Sequence, residues 1–166
     1  MEKRTRTALM WGLFCIFFLL VLVIQTVVLG RMRVYGAKLQ MLPMVIVCLA
    51  MWTDHEKAAL FGLAAGLVWQ MTGAEDGIVS IVLFPLYGAV GGWLFDSWLP
   101  RRMLPGILLC VAACFVQESV VLLLKFYVEN ASWSLALRLP VAVGLGVVAA
   151  PVLYGLGKAI GKVGGA

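Results

Sequence analysis

The residues of this chain that could do chemistry are few, and the most conspicuous of them interrupt an apolar stretch. Residues 103–124 are almost wholly apolar, as in a membrane span, except for Gln117, Glu118 and Ser119. Burying a charged carboxylate in such a run costs several kcal/mol on membrane-insertion scales. Glu118 therefore has three options: protonation, pairing with a cation such as Arg138, or a position against a partner or a polar cavity. We hypothesise that Glu118 faces protein and not lipid.

Other polar side chains lie at the ends of apolar segments. Asp96 is close in sequence to Arg101 and Arg102, which indicates a solvated or locally paired charge, and Gln70 can hydrogen-bond to a neighbouring helix. His55 is the only histidine and lies at a predicted helix start. Catalysis needs a nucleophile, a base and an orienting group within mutual reach, and no motif of that kind occurs. We therefore predict no enzymatic activity, no metal and no cofactor.

The four cysteines, Cys15, Cys48, Cys110 and Cys114, all lie inside apolar runs. Cys110 and Cys114 are four residues apart and therefore share a helix face. Two thiols at this spacing could hold a metal, but soft-metal sites usually bring more ligands. We interpret all four as small buried apolar residues.

Composition indicates an integral membrane protein. Of the 166 residues, 63% are apolar and 13% are charged, whereas soluble domains are about 45–50% apolar and about 25% charged. A soluble domain of this size cannot bury so much apolar surface. The connections are too short to form a second domain, so residues 1–166 are predicted to be one transmembrane domain. The net charge of +5 comes from basic residues at segment ends, where they meet headgroups, and it does not predict a nucleic-acid partner.

The apolar segments predict an all-α fold of six helices. They cover residues 8–29, 39–53, 57–72, 78–99, 103–127 and 135–157. The second and third are short against the roughly 30 Å of hydrocarbon in a bilayer, so we expect a helical hairpin supported by neighbouring helices. TDHEK, residues 53–57, predicts an N-cap for the third helix, and Pro85 predicts a kink or a break in the fourth.

Basic residues favour a cytoplasmic position for both termini. With the N-terminus inside, eight basic residues would be cytoplasmic: Lys3, Arg4, Arg6, Lys57, Arg101, Arg102, Lys158 and Lys162. Five would lie on the other side: Arg31, Arg33, Lys38, Lys125 and Arg138. Excess positive charge marks the cytoplasmic side of membrane proteins.

Small residues recur every four positions in three segments. The stripes are Ala58, Gly62 and Gly66 in the third, Gly88 and Gly92 in the fourth, and Ala142, Gly146 and Ala150 in the sixth. Such stripes let helix backbones approach closely in lipid. Packing within the chain and an interface with another protein both remain open.

The order of these pieces resembles that of the MreD family, the small membrane component of the bacterial rod-shape (elongation) system. The matching features are a proline heading the short second segment (LQMLPMVIVCLAMW), G-L-x-x-G-L in the third and G-x-x-x-G followed by an acidic residue in the fourth. A Glu inside the fifth segment (VQESVVLLL) and L-P opening the sixth complete the order. The resemblance begins at about residue 24 and extends to the tail. The family often has Asp where this chain has Gln70.

The resemblance implies a six-helix bundle similar to the substrate-binding subunits of energy-coupling-factor vitamin transporters. It also implies a non-enzymatic scaffold of the bacterial cytoplasmic membrane that binds MreC. Such a scaffold works with MreB filaments, with RodA and with its class B penicillin-binding transpeptidase in lateral peptidoglycan synthesis; self-association is open. Candidate residues for helix packing or a partner interface are Gly62, Gly66, Gln70, Gly88, Gly92, Asp96, Glu118 and Arg138.

Two other functions stay open at this point. A vitamin-type substrate-binding subunit has the same size and apolarity and needs a pocket of converging polar groups. The candidates for such a pocket are Gln40, Glu75, Asp76, Tyr127 and Asn130. A small proton-coupled transporter or channel would use Glu118 as a relay, although the chain lacks the internal repeat common in such folds.

Overall fold

The computed structural model describes residues 2–29, 40–73, 77–129 and 138–163, and these ranges are all-helical, with no β-strand. The prediction of an all-α fold is therefore confirmed for the described residues. The helices are α1 (Glu2–Val23), α2 (Leu42–Ala50), α3 (His55–Met71), α4 (Gly77–Ser97), α5 (Met103–Glu129) and α6 (Arg138–Val163). A π-helical segment, Ile24–Leu29, continues α1.

Four of the described helices are long and apolar enough to cross a membrane. The spans are Thr5–Val27, Ile78–Ser97, Met103–Val128 and Leu139–Lys162. Each has at least 20 residues, which at 1.5 Å per residue matches the roughly 30 Å of hydrocarbon in a bilayer. These helices are what a multi-pass membrane protein requires.

Some helix boundaries differ from the sequence prediction. α6 runs to Val163 instead of ending at residue 157, and α1 begins at Glu2. α4 continues through Pro85 without a break. Proline removes one backbone hydrogen bond, and in an apolar helix the neighbouring helices can compensate for that loss.

The N-cap of α3 lies within TDHEK, as predicted, but it lacks the capping hydrogen bond of its side chain. Asp54 has the extended backbone of an N-cap residue, but its side chain makes no capping hydrogen bond. Its carboxylate instead accepts a hydrogen bond from the Lys57 ammonium. The Thr53 hydroxyl donates to the Leu49 carbonyl of the preceding helix.

The short helix α2 lies at the centre of the molecule. All nine of its residues, LPMVIVCLA, are buried, and it contacts each of the other five helices. A helix that is apolar on every side is stable only where it is enclosed on every side. At about 13 Å it is too short to cross a bilayer, so the surrounding helices and not lipid satisfy its surface.

α3 runs antiparallel to α4, and α5 to α6. Gly66 of α3 lies opposite Ile81 of α4, and Gly92 near the end of α4 lies opposite His55 at the start of α3. The same reversal relates α5 to α6. Gln25, after α1, contacts Met41 just before α2, and Gly91 of α4 and Gly157 of α6 lie opposite Ala50 and Cys48 at the end of α2. One end of the molecule, which we call the amino-terminal end, therefore holds the start of α1, the α2–α3 turn, the α4–α5 turn and the end of α6.

Aromatic side chains attach α1 to α3. The Phe61 ring of α3 lies 5.7 Å from the Phe18 ring in an edge-to-face arrangement and 6.1 Å from the Trp11 ring, between ring centroids. Both distances are within the range in which aromatic pairs stabilise a contact beyond the area they bury.

Candidate functional site

The glycine stripes of α3 and α4 face each other and form a contact that we call the α3–α4 seam. A Cβ atom on Gly62 would collide with the backbone of Phe84, and one on Gly88 would collide with the carbonyl of Ala58. Neither obstacle is a flexible side chain, so neither can move aside. The backbones of the two helices are therefore in direct contact at these two points.

The seam continues toward both ends of the helices. A Cβ on Gly66 would lie 2.9 Å from the Ile81 Cα atom, and one on Gly92 would lie 2.6 Å from the His55 Cα atom. The structure thus brings together Gly62, Gly66, Gly88 and Gly92, four of the residues selected from the sequence, in one contact inside the chain.

The third stripe, on α6, is also occupied within the chain. Ala142, Gly146 and Ala150 are buried. A Cβ on Gly146 would lie 3.2 Å from the Met44 Cε atom of α2 and 3.7 Å from the Cys114 Cβ atom of α5. The small residues of α6 therefore let it pack against the central helix.

A buried polar network joins α4 to α5. The Tyr87 hydroxyl donates to Gln117 Oε1 at 3.2 Å, and Gln117 Nε2 donates to Ser80 Oγ at 3.0 Å. Gln117 and Ser80 are fully buried. Ser80 and Tyr87 are seven residues apart, so two helical turns place both on the same face of α4, with Gln117 between them.

A second buried amide supports the start of α2. Gln25 Oε1 accepts hydrogen bonds from the backbone N–H groups of Met41, at 2.9 Å, and Leu42, at 3.3 Å. Pro43, the next residue, has no N–H group. The first N–H groups of a helix have no partner within it, so the Gln25 side chain, which lies in the π-helical segment, acts as a cap supplied by another helix.

The thiols of α5 face α2. Cys114 Sγ donates to the Gln40 carbonyl at 3.3 Å, and Cys48 and Cys110 Sγ atoms lie 3.9 Å apart. Cys15 is exposed on α1, so the interpretation of all four cysteines as buried is wrong for that one. No group of three or more His, Cys, Asp or Glu side chains converges as a metal site among the described residues.

Glu118 is half-buried, one residue after the fully buried Gln117. The Arg138 side chain lies outside the described residues, so the proposed pairing with Glu118 stays a prediction. Gln70 is half-buried at the end of α3, and its Oε1 atom is buried without a hydrogen-bond partner in the described part of the chain.

Of the five polar residues that the sequence suggests for a vitamin-type pocket, the structure describes two. Glu75, Asp76 and Asn130 lie outside the described residues. Tyr127 is 92% exposed, and the Gln40 carbonyl accepts from a buried thiol. Tyr127 therefore does not line an enclosed pocket.

Asp96 lies in a charged cluster at the amino-terminal end. Its carboxylate accepts a hydrogen bond from Arg101 at 3.2 Å and lies 3.7 Å from His55 Nδ1. The Asp96 side chain is 38% exposed. This arrangement matches the sequence interpretation of a locally paired charge, and it ties the end of α4 to the start of α3.

A second ion pair, between Asp54 and Lys57, lies on the α2–α3 turn and the first turn of α3. The hydrogen bond from Lys57 and its positive charge hold the pKa of Asp54 below its usual value. The same hydrogen bond and the Asp54 charge raise the pKa of Lys57. Both side chains are well exposed, so water screens the pair and it contributes little to stability.

An apolar groove of about 210 Å³ opens between α4 and α5. Its lining residues are Val47, Leu86, Tyr87, Val90, Gly91, Leu109, Ala112, Ala113 and Val116. Val47 belongs to α2 and forms the floor, while Leu86, Val90 and Val116 are exposed along the rims. The Tyr87 hydroxyl already donates to Gln117, so a ligand or partner in the groove would contact almost only apolar surface.

The specific contacts of Gln25, Ser80 and Tyr87 were not predicted from the sequence. The sequence analysis emphasised Glu118, whereas the hydrogen bonds of the network are made by Gln117. A signal existed for Gln117, because an amide beside a carboxylate in an apolar helix also needs a partner. The seven-residue spacing of Ser80 and Tyr87 would have indicated a shared face of α4.

No protein-family model matches the chain, and no curated protein and no solved structure is significantly similar to it.

Proposed function

We propose that this protein is a non-enzymatic scaffold of the bacterial elongation complex, as the resemblance to the MreD family implies. In this proposal it binds MreC, a protein with a single membrane span. It acts indirectly with MreB, RodA and the class B transpeptidase to support lateral peptidoglycan synthesis. The proposal includes a helix arrangement similar to that of the six-helix vitamin-binding subunits, as the resemblance implies, with the chain serving as a docking surface.

The observation that carries the proposal is the groove between α4 and α5. A water-soluble ligand needs several polar groups that converge in a pocket, whereas this groove is lined by aliphatic side chains, small residues and Tyr87. Gly91, Ala112 and Ala113 leave room for close approach of a partner helix, which is how helices associate in lipid. The polar groups nearby, Tyr87 and Gln117, are paired with each other.

The proposed location is the bacterial cytoplasmic membrane with both termini in the cytoplasm. The amino-terminal end then lies at the cytoplasmic interface. That position suits the Asp54–Lys57 and Asp96–Arg101 ion pairs, which are exposed there, because ion pairs at a membrane surface stay hydrated. It also agrees with the excess of basic residues expected on this side.

The experiment is to fill the groove and measure co-purification with MreC from native membranes. Ala112→Phe places a ring in the groove, and Val148→Phe adds the same ring to α6 at a position that is 73% exposed and outside the groove. We expect Ala112→Phe to reduce recovered MreC about tenfold, equivalent to roughly 1.4 kcal/mol of binding. Val148→Phe should leave recovery unchanged.

Normal recovery of MreC with Ala112→Phe would contradict the groove as the docking surface. Failure of the unmodified chain to recover MreC would contradict the scaffold function itself. Mass spectrometry of the same purified sample supplies a separate outcome, because a stoichiometric small molecule bound to the protein would instead favour a vitamin-type binding subunit.

A further inference from the structure

One outward face of α3 carries a narrow apolar strip with polar ends. Leu60, Leu63, Leu67 and Met71, which we call the α3 strip, are spaced three, four and four residues apart and therefore share one side of the helix. Their side chains are 70%, 42%, 49% and 87% exposed. The glycines of α3 face α4 instead.

Polar groups limit the strip at both ends. Glu56 continues the same side of the helix one turn before Leu60 and is exposed. Thr72 and Gly73 follow Met71 in an exposed turn, where Gly73 has a positive φ of 72°. The Glu56 carboxylate requires water. The N–H groups of Thr72 and Gly73 are paired with the Trp69 and Gln70 carbonyls, but the last carbonyl groups of a helix have no partner within it and also require water. From Glu56 to Thr72 is sixteen residues, or about 24 Å of helix.

α5 carries a longer apolar span, in which Glu118 and Lys125 are the two charged residues. The apolar span of α5, Met103–Val128, contains 26 residues, or about 39 Å of helix. Leu108 and Leu124 of α5 are also sixteen residues apart, and both are exposed well inside that span. Two sides of one molecule therefore present apolar surfaces of very different length.

We propose that the lipid bilayer is thinned along the α3 strip, so that both of its ends reach water. Lipid is the occupant that the side chains favour, because the strip consists of long flexible leucine and methionine side chains. Helix–helix contacts in membranes instead use small residues, which α3 turns toward α4. Thinning is one known response of a bilayer to a short apolar surface. This inference rests on a membrane location and not on any protein partner.

The test measures water access with a charged, membrane-impermeant maleimide in lipid nanodiscs of dioleoyl phosphatidylcholine, which expose both membrane faces. The full-length chain carries Cys15→Ser, which removes the exposed native thiol; the other three cysteines are buried. Single cysteines are then introduced by Glu56→Cys or Thr72→Cys. Leu108→Cys and Leu124→Cys are the controls with equal spacing.

We expect both α3 sites to react at least about tenfold faster than both α5 sites, because the reactive thiolate forms only where water reaches it. A reaction at either α3 site as slow as at the α5 sites would overturn the proposal, since the bilayer would then keep its full thickness or another protein would cover the strip. All four substitutions change exposed side chains, and size-exclusion elution identifies any variant that fails to fold. Recovery of MreC does not enter this test, so the proposed function and this inference can fail separately.

Discussion

α4 meets α3 on one face and α5 on another, and the two contacts are built differently. Along the α3–α4 seam, glycines of both helices bring backbone against backbone. Toward α5, the groove leaves apolar side chains exposed, and the described hydrogen bonds are those that Gln117 makes with Tyr87 and Ser80. The α4–α5 pair touches far less than the α3–α4 pair.

α4 is thus held tightly against α3 on one side, while its other side keeps apolar surface exposed for a further contact. A seam of glycines admits no further helix, because its backbones already touch. The hydrogen bonds of Gln117 fix the distance between α4 and α5 near Ser80 and Tyr87. The two helices leave space between them at the groove. The central helix α2 closes the bottom of that space through Val47.

Breaking the seam should have the largest effect. Gly88→Ala places a methyl group against the backbone carbonyl of Ala58, and neither helix can yield without separating. We expect the free energy of unfolding to fall by roughly 2–3 kcal/mol, as in other overpacked contacts. Reversible unfolding in mixed detergent micelles, followed by tryptophan fluorescence, measures it.

The matched control is Gly144→Ala on α6, where the added methyl group meets no atom within 4 Å. That change should leave stability unaltered or raise it by up to about 1 kcal/mol through helix propensity. Equal losses for Gly88→Ala and Gly144→Ala would mean that close contact does not define the seam.

Removing the network should have the next largest effect. Gln117→Leu deletes the acceptor of the Tyr87 hydroxyl and the donor to Ser80, both in the core. We expect a loss of about 1–2 kcal/mol, the usual result of leaving a buried polar group unpaired. In a chain that already carries Tyr87→Phe and Ser80→Ala, the same substitution should cost less than half as much. An undiminished loss in that background would show that the network is not the cause.

The cap of α2 should matter somewhat less. Gln25→Leu removes the oxygen that accepts from the N–H groups of Met41 and Leu42. We expect about 1 kcal/mol of lost stability, comparable to the loss of an ordinary N-cap. Gln25→Glu, which keeps the accepting oxygen, should lose less than Gln25→Leu at a pH where the carboxyl is neutral. The same unfolding titration compares the two variants, and identical losses would contradict a capping role.

The smallest effect concerns the exposed pair of Asp54 and Lys57. Because the pKa of Asp54 is lowered in the folded protein, its contribution is present above the ordinary value of 3.8 and is lost as the pH falls below it. The pKa of Lys57 is raised, so that contribution is present below 10.5 and is lost as the pH rises above it. Between pH 6 and pH 3, Lys57→Met should therefore lose less stability than the unmodified chain. An equal loss in both would contradict the pairing.

Much of the fold follows from the sequence, for physical reasons. Long apolar runs have few alternatives to a helix in lipid, because every backbone polar group must be satisfied locally. The short, uniformly apolar second segment indicated a helix supported by protein, and α2 is indeed enclosed. Glycine spacing indicated close helix contacts, and the seam contains Gly62, Gly66, Gly88 and Gly92.

The sequence did not predict which helices contact one another. Spacing shows which residues share a face of one helix, but it does not show which other helix that face will meet. Gln25 and Gln117 each find their partners through contacts between separate helices. The preference for Glu118 came from the cost of burying a charge, whereas the fully buried side chain is the neutral amide beside it.

The most direct test of docking in the groove is photo-crosslinking in native membranes from the α4 rim and the α5 rim. A benzophenone side chain replaces Val90 or Val116 on the rims, or Val152 on the exposed outer face of α6, as the control. If the groove docks MreC as proposed, Val90 and Val116 should crosslink to MreC and Val152 should not. A crosslink to MreC from Val152 with none from the rim positions would contradict this docking.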